Sequence, residues 1–273
     1  GINRSIPGVS AMKRFVLLLT LLLIVLCPAV CFSLELERVG DTAWADVGSV
    51  EEFETVLEEM LVLFEEHAVI RLPLKRCLEE EEIKGMLEKI YYRRDLVAAS
   101  IVRMEATVRY ASRMNTVEFL FQWIDSRQQR EEVREMVPRI LSSILAPGMS
   151  ERQILEAIHD HVVSTVLYDD SRMGRGAWEA LRGRAVCQGY ALLTGALLSG
   201  AGFDNRIVLN SDHAWNLVFT EGKWRHIDTA FDDPVIIGGG RPEGISREAF
   251  LKTDAEIRAL GHNWDANRYP KAK

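Results

Sequence analysis

Three short segments of the sequence carry residue types that together perform nucleophilic chemistry. Cys187 lies in the segment RAVCQGYA, His213 follows in DHAWN, and Asp228 follows in WRHID. A thiol, an imidazole and a carboxylate in this order supply a nucleophile, a base and a group that orients the base. The sequence therefore contains the parts of a nucleophilic acyl-transfer site.

Cys187 is predicted to lie in the first turn of a helix. Apolar residues after it recur at helical spacing, and Gly200 and Gly202 mark the end of the pattern. At a helix start, the dipole and the free N–H groups favour the thiolate and lower the pKa of the thiol. The same N–H groups can bind a developing oxyanion. Taken alone, however, a free cysteine is more often a small buried apolar residue.

A predicted β-hairpin brings His213 and Asp228 together. Two alternating runs flank the turn TEGK, and with Glu221 and Gly222 as the loop, Trp215 faces Asp228. His213 and Asp228 then become diagonal neighbours on one face, with Cβ atoms roughly 7 Å apart. A hydrogen bond between them would fix the imidazole tautomer and stabilise its charged form. A bulge at Gly222 would shift this register by one residue.

His226 competes with His213 for the role of base. It shares the strand parity of Asp228, but in the same register it faces Leu217, further from the end where His213 lies. His226 therefore ranks below His213. Taken singly, His213 would be a core histidine and Asp228 a turn residue, but their shared face favours a functional pair.

The remaining histidines and acidic pairs show no metal-ligand spacing. His159 and His161 are two residues apart on a predicted helix, so they lie on different faces. Packing or surface roles are expected for both and for His67. Asp232 and Asp233 could contact a cation, but a solvated turn is the preferred prediction for both. The sequence predicts neither a metal site nor a cofactor.

Residues 34–146 are predicted to form a small α/β unit with no evident chemistry of its own. The patterns indicate helices over 50–66, 80–92 and 131–145, a strand over 67–74, and a hairpin from 106–110 and 116–123 around a turn at 112–115. Pro138 is expected to interrupt or bend the third helix. The boundary to the second part, residues 147–273, is placed near Ala146-Pro147-Gly148, and Ser150 is predicted to cap the next helix with Gln153.

The composition is that of a globular protein. The 273 residues are 48% hydrophobic and 27% charged, with a net charge of −7, which suits one or two domains. No basic stretch argues for nucleic acid as a partner.

The N-terminus has the pattern of an export signal. Met12-Lys13-Arg14 precede an apolar run over residues 15–26, and small residues follow near Cys31. Residues 12–33 are therefore predicted to be a signal peptide or an N-terminal membrane anchor, and residues 1–11 an upstream extension or cloning scar. The protein is expected to be secreted, periplasmic or at the cell surface, with membrane contact only through this segment.

Removal of that segment would leave two cysteines, Cys77 and Cys187. An exported chain can bridge two cysteines, but two free thiols are preferred here. Cys77 is predicted in a helix beside the charged run at residues 79–82, as a bystander. A lipoprotein role for Cys27 or Cys31 is disfavoured, because neither follows a small residue.

The motifs AVCQGY at 185–190, HAWN at 213–216 and WRHIDT at 224–229 resemble the transglutaminase-like superfamily, in the form found in many bacterial exported proteins. The helix that ends at Tyr168-Asp169 and the tail over residues 250–270 are similar too, so the resemblance covers about residues 149–273. It implies an α+β fold, with a papain-like core in which the nucleophile heads a helix packed on an antiparallel sheet.

The resemblance also implies roles for individual residues. Cys187 would be the nucleophile, His213 the general base and acid, and Asp228 the orienting carboxylate. Gln188 and Tyr168 are candidates for the second oxyanion donor, and Trp215 for a supporting residue. No segment resembles the calcium sites of the large animal enzymes, so no calcium requirement is expected.

The expected activity is attack by the Cys187 thiolate on a protein or peptide amide, including cell-wall peptide, to form a thioester. An amine acceptor would make the protein a transglutaminase, and water would make it a protease or deamidase. The alternative is a catalytically silent binding or scaffold module of the cell envelope with the same fold. A further possibility is that the N-terminal unit covers the site as a regulator.

Overall fold

The computed structural model describes residues 36–169, 171, 173–233 and 244–273. The predicted export segment over residues 12–33 lies outside the described residues. From Glu37 onward the chain forms one compact unit. Within the described ranges, no helix combines the length and the apolar character needed to cross a membrane.

The first half of the chain builds a five-stranded sheet in the order β1-β2-β3-β5-β4. Strands β2 and β3 run parallel, and the other neighbours run antiparallel. The elements are β1 (Glu37–Val39), β2 (Thr42–Asp46), α1 (Val50–Val62), β3 (His67–Pro73), α2 (Glu80–Arg93), α3 (Asp95–Ser100), β4 (Ile101–Ala111), β5 (Met114–Trp123) and α4 (Arg127–Ile144). The predicted helices and strand at residues 50–92 are confirmed with shifted ends, whereas β1, β2 and α3 were not predicted.

The predicted hairpin of β4 and β5 is confirmed, but it is longer than its alternating pattern indicated. The strands meet at a two-residue turn, Ser112-Arg113, in which both residues have positive φ, 52° and 66°. This backbone matches the right-handed twist of a hairpin. Cys77 is a free thiol as predicted, but it lies in the connection before α2 rather than in a helix.

Helix α4 is continuous through Pro138, so the predicted interruption is wrong. The helix also begins earlier than predicted, because the Ser126 side chain caps it by accepting the N–H of Gln129. Buried side chains on both sides of the proline, such as Val133 and Leu141, hold the two halves against the core. Their packing offsets the one helical hydrogen bond that proline cannot make.

The second half places one long helix against a four-stranded antiparallel sheet of order β11-β10-β9-β8. Its elements are α5 (Glu151–Thr165), β6 (Leu167–Tyr168), α6 (Ala177–Leu181), β7 (Arg184–Ala185), α7 (Cys187–Gly200), β8 (Asn205–Leu209), β9 (Ala214–Thr220), β10 (Lys223–Ile227), β11 (Phe250–Lys252) and α8 (Asp254–Ala259). Ser150 caps α5 as predicted. The register of β9 and β10 is the predicted one, with Thr220 opposite Lys223. The α+β class is therefore confirmed.

Two side-chain contacts fix the sheet on α7. The Asn216 amide on β9 donates to the carbonyl of Ala191 at 3.0 Å, and the hydroxyls of Thr194 and Thr229 lie 3.0 Å apart. All four residues are buried. Because these contacts are one helical turn apart, they set both the distance and the angle between α7 and the hairpin.

The predicted boundary near residue 146 falls in the connection between α4 and α5. Helix α4 nevertheless shares a core with α7. Val137 and Leu141 belong to the same buried cluster as Leu197. A Cβ added at Gly200 would lie only 2.5 Å from a methyl of Val137, so the two helices approach closely there.

The loop before α6 lies against the start of α7. The Asp169 carboxylate accepts the N–H of Gly174 at 2.8 Å, and the carbonyl of Gly174 accepts the N–H of Val186 at 2.7 Å. A Cβ added at Gly189 would lie 2.7 Å from both the Ala185 Cβ and the Gly176 carbonyl oxygen. Glycine at position 189 therefore allows the loop to pack on the first turn of α7.

Gly189→Ala is expected to lower the free energy of unfolding by about 1–3 kcal/mol, because the added methyl forces the backbone of the loop away from α7. Gly85→Ala is the matched control. It lies in α2 with no atom within 4 Å of the added Cβ, so it should raise the free energy of unfolding by roughly 0.5–1 kcal/mol through helix propensity. Urea unfolding gives both values. The close packing of the loop on α7 would be contradicted if Gly189→Ala lowered the free energy of unfolding by no more than the size of the change caused by Gly85→Ala.

Candidate active site

Cys187 is the first residue of α7, as predicted, and is partly buried. Val186, the residue that caps the helix, supplies no side-chain hydrogen bond. The N–H groups in the first turn of a helix have no partner within the helix, so they are donors at the end of α7 where Cys187 lies. His213 and the backbone N–H of Ala214 both lie close enough to the Cys187 sulfur to lower the pKa of its thiol.

His213 lies just before β9, between the thiol and Asp228. The Asn210 side chain accepts its backbone N–H at 2.7 Å, and its ring stacks on Trp215 with centroids 5.6 Å apart. The Nε2–H of His213 donates to Oδ2 of Asp228 at 2.6 Å. Because Nε2 is occupied by the carboxylate, Nδ1 is the nitrogen left for Cys187. The contact that the hairpin register predicted is therefore present.

Asp228 is a buried carboxylate whose two oxygens accept four hydrogen bonds. Oδ1 accepts the backbone N–H groups of Ala230 at 3.1 Å and Phe231 at 3.0 Å. Oδ2 accepts Nε2–H from His213 and from His262, the latter at 2.7 Å. Burial raises the pKa of Asp228, but the hydrogen bonds from the two histidines outweigh it and bring the pKa to about 2.

The thiol and the imidazole each shift the pKa of the other towards its charged form. Burial raises the pKa of the Cys187 thiol, but the hydrogen bond and the positive charge of His213 outweigh burial, so the pKa is lowered. Burial lowers the pKa of His213, but the hydrogen bonds to Asp228 and Cys187 outweigh it and raise the pKa to about 10. A histidine pKa raised in this way stabilises the folded chain fully below about pH 6.5, and the contribution is lost as the pH rises towards 10.

Trp215 supports the imidazole through a second, separate chain of hydrogen bonds. Its indole N–H donates to Nδ1 of His226 at 2.9 Å, and Nε2–H of His226 donates to Asp254 at 2.9 Å. Nδ1 is thus an acceptor, and burial lowers the pKa of His226, so this histidine is neutral. His226 faces Leu217 as predicted and does not contact Asp228.

The two side chains proposed as oxyanion donors have other partners. The Gln188 amide donates to the carbonyl of Ala99 at 2.6 Å and accepts from Arg175 at 3.0 Å, so it joins α7 to α3. Tyr168 is half-buried on β6, with its ring 6.4 Å from that of Tyr190. The Gln188 amide is therefore engaged by two other residues, and the backbone N–H groups at the start of α7 are donors without a partner inside the helix.

His262 is the site residue that sequence reasoning missed. It lies in the connection after α8 and is buried, with its ring edge-on to His213 at 5.4 Å and to Trp215 at 5.0 Å. Its segment has no strand or helix periodicity, so no register argument could place it near Asp228. The only available signal was its position in the tail that resembles the superfamily.

The predicted solvated turn at Asp232 and Asp233 is wrong for Asp232. This carboxylate is fully buried, where it contacts His159 at 3.1 Å and accepts the N–H of Ala249. Asp233 accepts a hydrogen bond from the Tyr190 hydroxyl at 2.5 Å. The partners of both carboxylates are distant in sequence, so the local polar pattern gave no sign of them.

His213, Asp228 and His262 place three possible metal-ligand atoms within 4.8 Å of one another. Both nitrogens lie at hydrogen-bond distance from the same carboxylate oxygen, 2.6 and 2.7 Å. A shared proton between each nitrogen and the oxygen accounts for these distances. The geometry is thus that of a hydrogen-bonded cluster.

Fold and site together define a class of protein. A thiol that heads a helix, with its imidazole and carboxylate on an adjoining antiparallel sheet, is the arrangement of papain-like thiol acyl-transfer domains. The model of the transglutaminase-like superfamily matches residues 138–229. This part of the chain is similar to the transglutaminase-like superfamily. It contains Cys187, His213 and Asp228, whereas His262 lies beyond the matched residues.

Solved structures similar to this chain include a TGase, a candidate cysteine protease from Cytophaga hutchinsonii and a candidate protease from Parabacteroides distasonis. Their identities are 16%, 14% and 10%, with TM-scores of 0.37, 0.31 and 0.27. The matches cover 68%, 48% and 59% of this chain and 56%, 65% and 39% of the others, so less than two thirds of each is spanned. A search of curated proteins finds no match.

Cys187 is expected to react with iodoacetamide much faster than Cys77 near pH 6. An ordinary thiol loses about tenfold in thiolate per pH unit below its pKa, whereas Cys187 is paired with an imidazolium. His213→Ala should slow Cys187 and leave Cys77 unchanged. In Asp228→Asn, the labelling rate of Cys187 should begin to increase only at a higher pH than in the wild type, because the carboxylate that raises the pKa of His213 is removed. Peptide mapping across the pH range gives both rates in each sample, and equal slow labelling in the wild type would contradict an activated thiol.

His262→Phe keeps an aromatic ring but removes an N–H that Asp228 accepts, so the pKa of Asp228 should rise from about 2 towards its ordinary 3.8. The lowered pKa of Asp228 stabilises the folded chain fully at pH values above the ordinary pKa of a carboxyl group. This stabilisation is lost as the pH falls from about 4 to about 2. At pH 5 the variant should therefore be less stable than wild type by about 1–3 kcal/mol, and this difference should shrink towards pH 2.

Urea unfolding at a series of acidic pH values measures this difference. His262→Gln is the conservative control, because its amide retains a donor, and it should recover part of the loss. A difference that stays constant as Asp228 becomes protonated would assign His262 a packing role only.

Proposed function

We propose that this protein is a cysteine-dependent enzyme that transfers an acyl group from a protein or peptide amide through a thioester on Cys187. The observation that carries the proposal is the position of the Cys187 thiol beside His213, whose Nε2–H donates to the buried Asp228 at 2.6 Å. The transglutaminase-like match supports the same general chemistry, cysteine-dependent acyl transfer or proteolysis.

In the first half-reaction, the Cys187 thiolate attacks the carbonyl carbon of the amide. The negative charge moves to the carbonyl oxygen, where N–H groups at the start of α7 can stabilise it. The C–N bond then breaks, and the proton on Nδ1 of His213 passes to the leaving nitrogen. A thioester on Cys187 and a free amine or ammonia result.

In the second half-reaction, neutral His213 accepts a proton from the acyl acceptor as the acceptor attacks the thioester. The C–S bond breaks and the thiolate is restored beside the imidazolium. Asp228 stabilises the charged imidazole at the start and the end of the cycle. An amine acceptor yields a new amide, and water yields a carboxylic acid.

We further propose that the protein acts outside the cytoplasm, on protein or peptide substrates that include cell-wall peptide. The basic head and apolar run over residues 12–26 support export. A silent scaffold with the same fold is the weaker alternative, because a scaffold has no need for a raised imidazole pKa beside a lowered thiol pKa.

The product of the reaction can be identified by mass spectrometry. Glutamine-containing peptides should be incubated with the wild type, with and without a primary amine. Ligation, deamidation and cleavage give distinct mass changes, and each should depend on Cys187 because the thioester forms there. We expect one of these products from the wild type and none from Cys187→Ala.

Cys77→Ala is the matched control and should behave as wild type, because Cys77 is remote from His213 in sequence and lies before α2. Formation of product by Cys187→Ala would refute acyl transfer on these peptides. So would a wild-type protein that leaves every peptide unchanged although its Cys187 can be fully alkylated.

A further inference from the structure

Strand β4 is an edge of the five-stranded sheet, and among the described strands it pairs with β5 alone. It is 11 residues long, and most of them are exposed. An edge of this length presents a row of backbone donors and acceptors that another strand can pair with.

The backbone groups at this edge belong to alternate residues. The two-residue turn makes Ala111 and Met114 a hydrogen-bonded pair, and every second residue of β4 from there exchanges hydrogen bonds with β5. Met104, Ala106 and Val108 are the residues between, so their N–H and C=O groups point away from β5.

The same three residues line a groove of roughly 480 Å³ between β4 and α2. Leu78, Ile83 and Leu87 form the apolar part of the opposite wall, with Glu80 and Lys84 also lining the groove. Side chains in a strand alternate between the two faces. A strand added to β4 would therefore place every second side chain in this groove.

The charges of β4 do not protect this stretch of the edge. Arg103, Glu105 and Arg109 occupy positions that hydrogen-bond to β5, and their side chains lie on the face opposite the groove. The register shift near Val102 disturbs only the beginning of the strand. Natural sheets usually blunt a free edge with charge or irregularity, whereas the three residues of this edge that line the groove, Met104, Ala106 and Val108, are uncharged and indicate a partner.

The beginning of β4 adjoins the candidate active site. Two residues before the strand, the carbonyl of Ala99 accepts the side-chain N–H of Gln188, the neighbour of Cys187, at 2.6 Å. The hairpin is held at the same end by Asp125, which accepts the N–H of Ala177. Met104 lies five residues after Ala99 in the sequence, at most about 17 Å of chain.

We propose that the free edge of β4 and the groove beside α2 bind an extended segment of the polypeptide substrate, with apolar side chains at alternate positions. Main-chain hydrogen bonds would give affinity, and the groove would select the side chains, as in other cases of strand addition. The role as a substrate site rests on the proposed acyl transfer, whereas binding itself does not require turnover.

Binding is tested on the full chain with Cys187→Ala, so that no reaction occurs. The probes are short fluorescein-labelled peptides with valine, leucine or phenylalanine at alternate positions and threonine or lysine between them, followed by fluorescence anisotropy. Ala106→Pro removes an N–H at the free edge without removing a bond to β5. It should weaken binding by roughly tenfold, the loss expected for a backbone hydrogen bond, whereas Thr107→Ala, which changes a side chain on the face opposite the groove, should bind as the parent does.

Peptides methylated on alternate backbone nitrogens should not bind the parent, and this control does not depend on the folding of any variant. Binding that survives both backbone methylation and Ala106→Pro would overturn the proposal, as would the absence of binding by the whole peptide series. Sedimentation will show whether the chain forms a dimer. A dimer would assign the edge to a second copy of the chain if Ala106→Pro abolishes it and the peptides do not displace it.

If the chain turns over peptides, Ala106→Pro should raise KM for substrates long enough to reach the groove and leave short substrates unchanged. Iodoacetamide labelling of Cys187 should be the same in both proteins. If the proposed acyl transfer is wrong, peptides will bind but no product will form. If the proposed role of the groove is wrong, long and short peptides will give product equally well.

Discussion

The structure depends on the burial of one carboxylate. Asp228 is shielded from water, and a buried charge is tolerated only where hydrogen bonds replace its hydration. Its four donors come from three separate places: the residue before β9, the turn after β10, and the connection after α8. Each must be held within hydrogen-bond distance at once. The antiparallel sheet, the tail and the aromatic packing around Trp215 satisfy that requirement.

Helix α7 adds the thiol to this cluster. Its position is set on one side by Asn216 and Thr229 of the sheet and on the other by close contacts of Gly189 and Gly200 with the neighbouring loop and α4. The first half of the chain takes part in the same packing, since α4 belongs to the core that surrounds α7. The N-terminal sheet and the candidate active site are therefore joined by one packed core. A molecule bound to the sheet would have a defined orientation relative to the site.

The parts that sequence predicted well are those governed by local rules. The hairpin register follows from the turn at Glu221-Gly222 and strand alternation, and it placed His213 beside Asp228. The cap at Ser150 and the helix after Cys187 follow from equally short patterns. The failures share a different cause. His262, the buried Asp232 and the continuity of α4 through Pro138 all depend on partners distant in the chain, whose packing outweighs local preference.

The separation of the four donors along the chain also has a consequence in time. His262 is synthesised about 75 residues after Cys187, and at roughly 5–20 residues per second this is a delay of several seconds. Until His262 has been made, Asp228 lacks one of its four donors. The hydrogen-bonded cluster around the carboxylate is therefore completed only after the segment that carries His262 has been made.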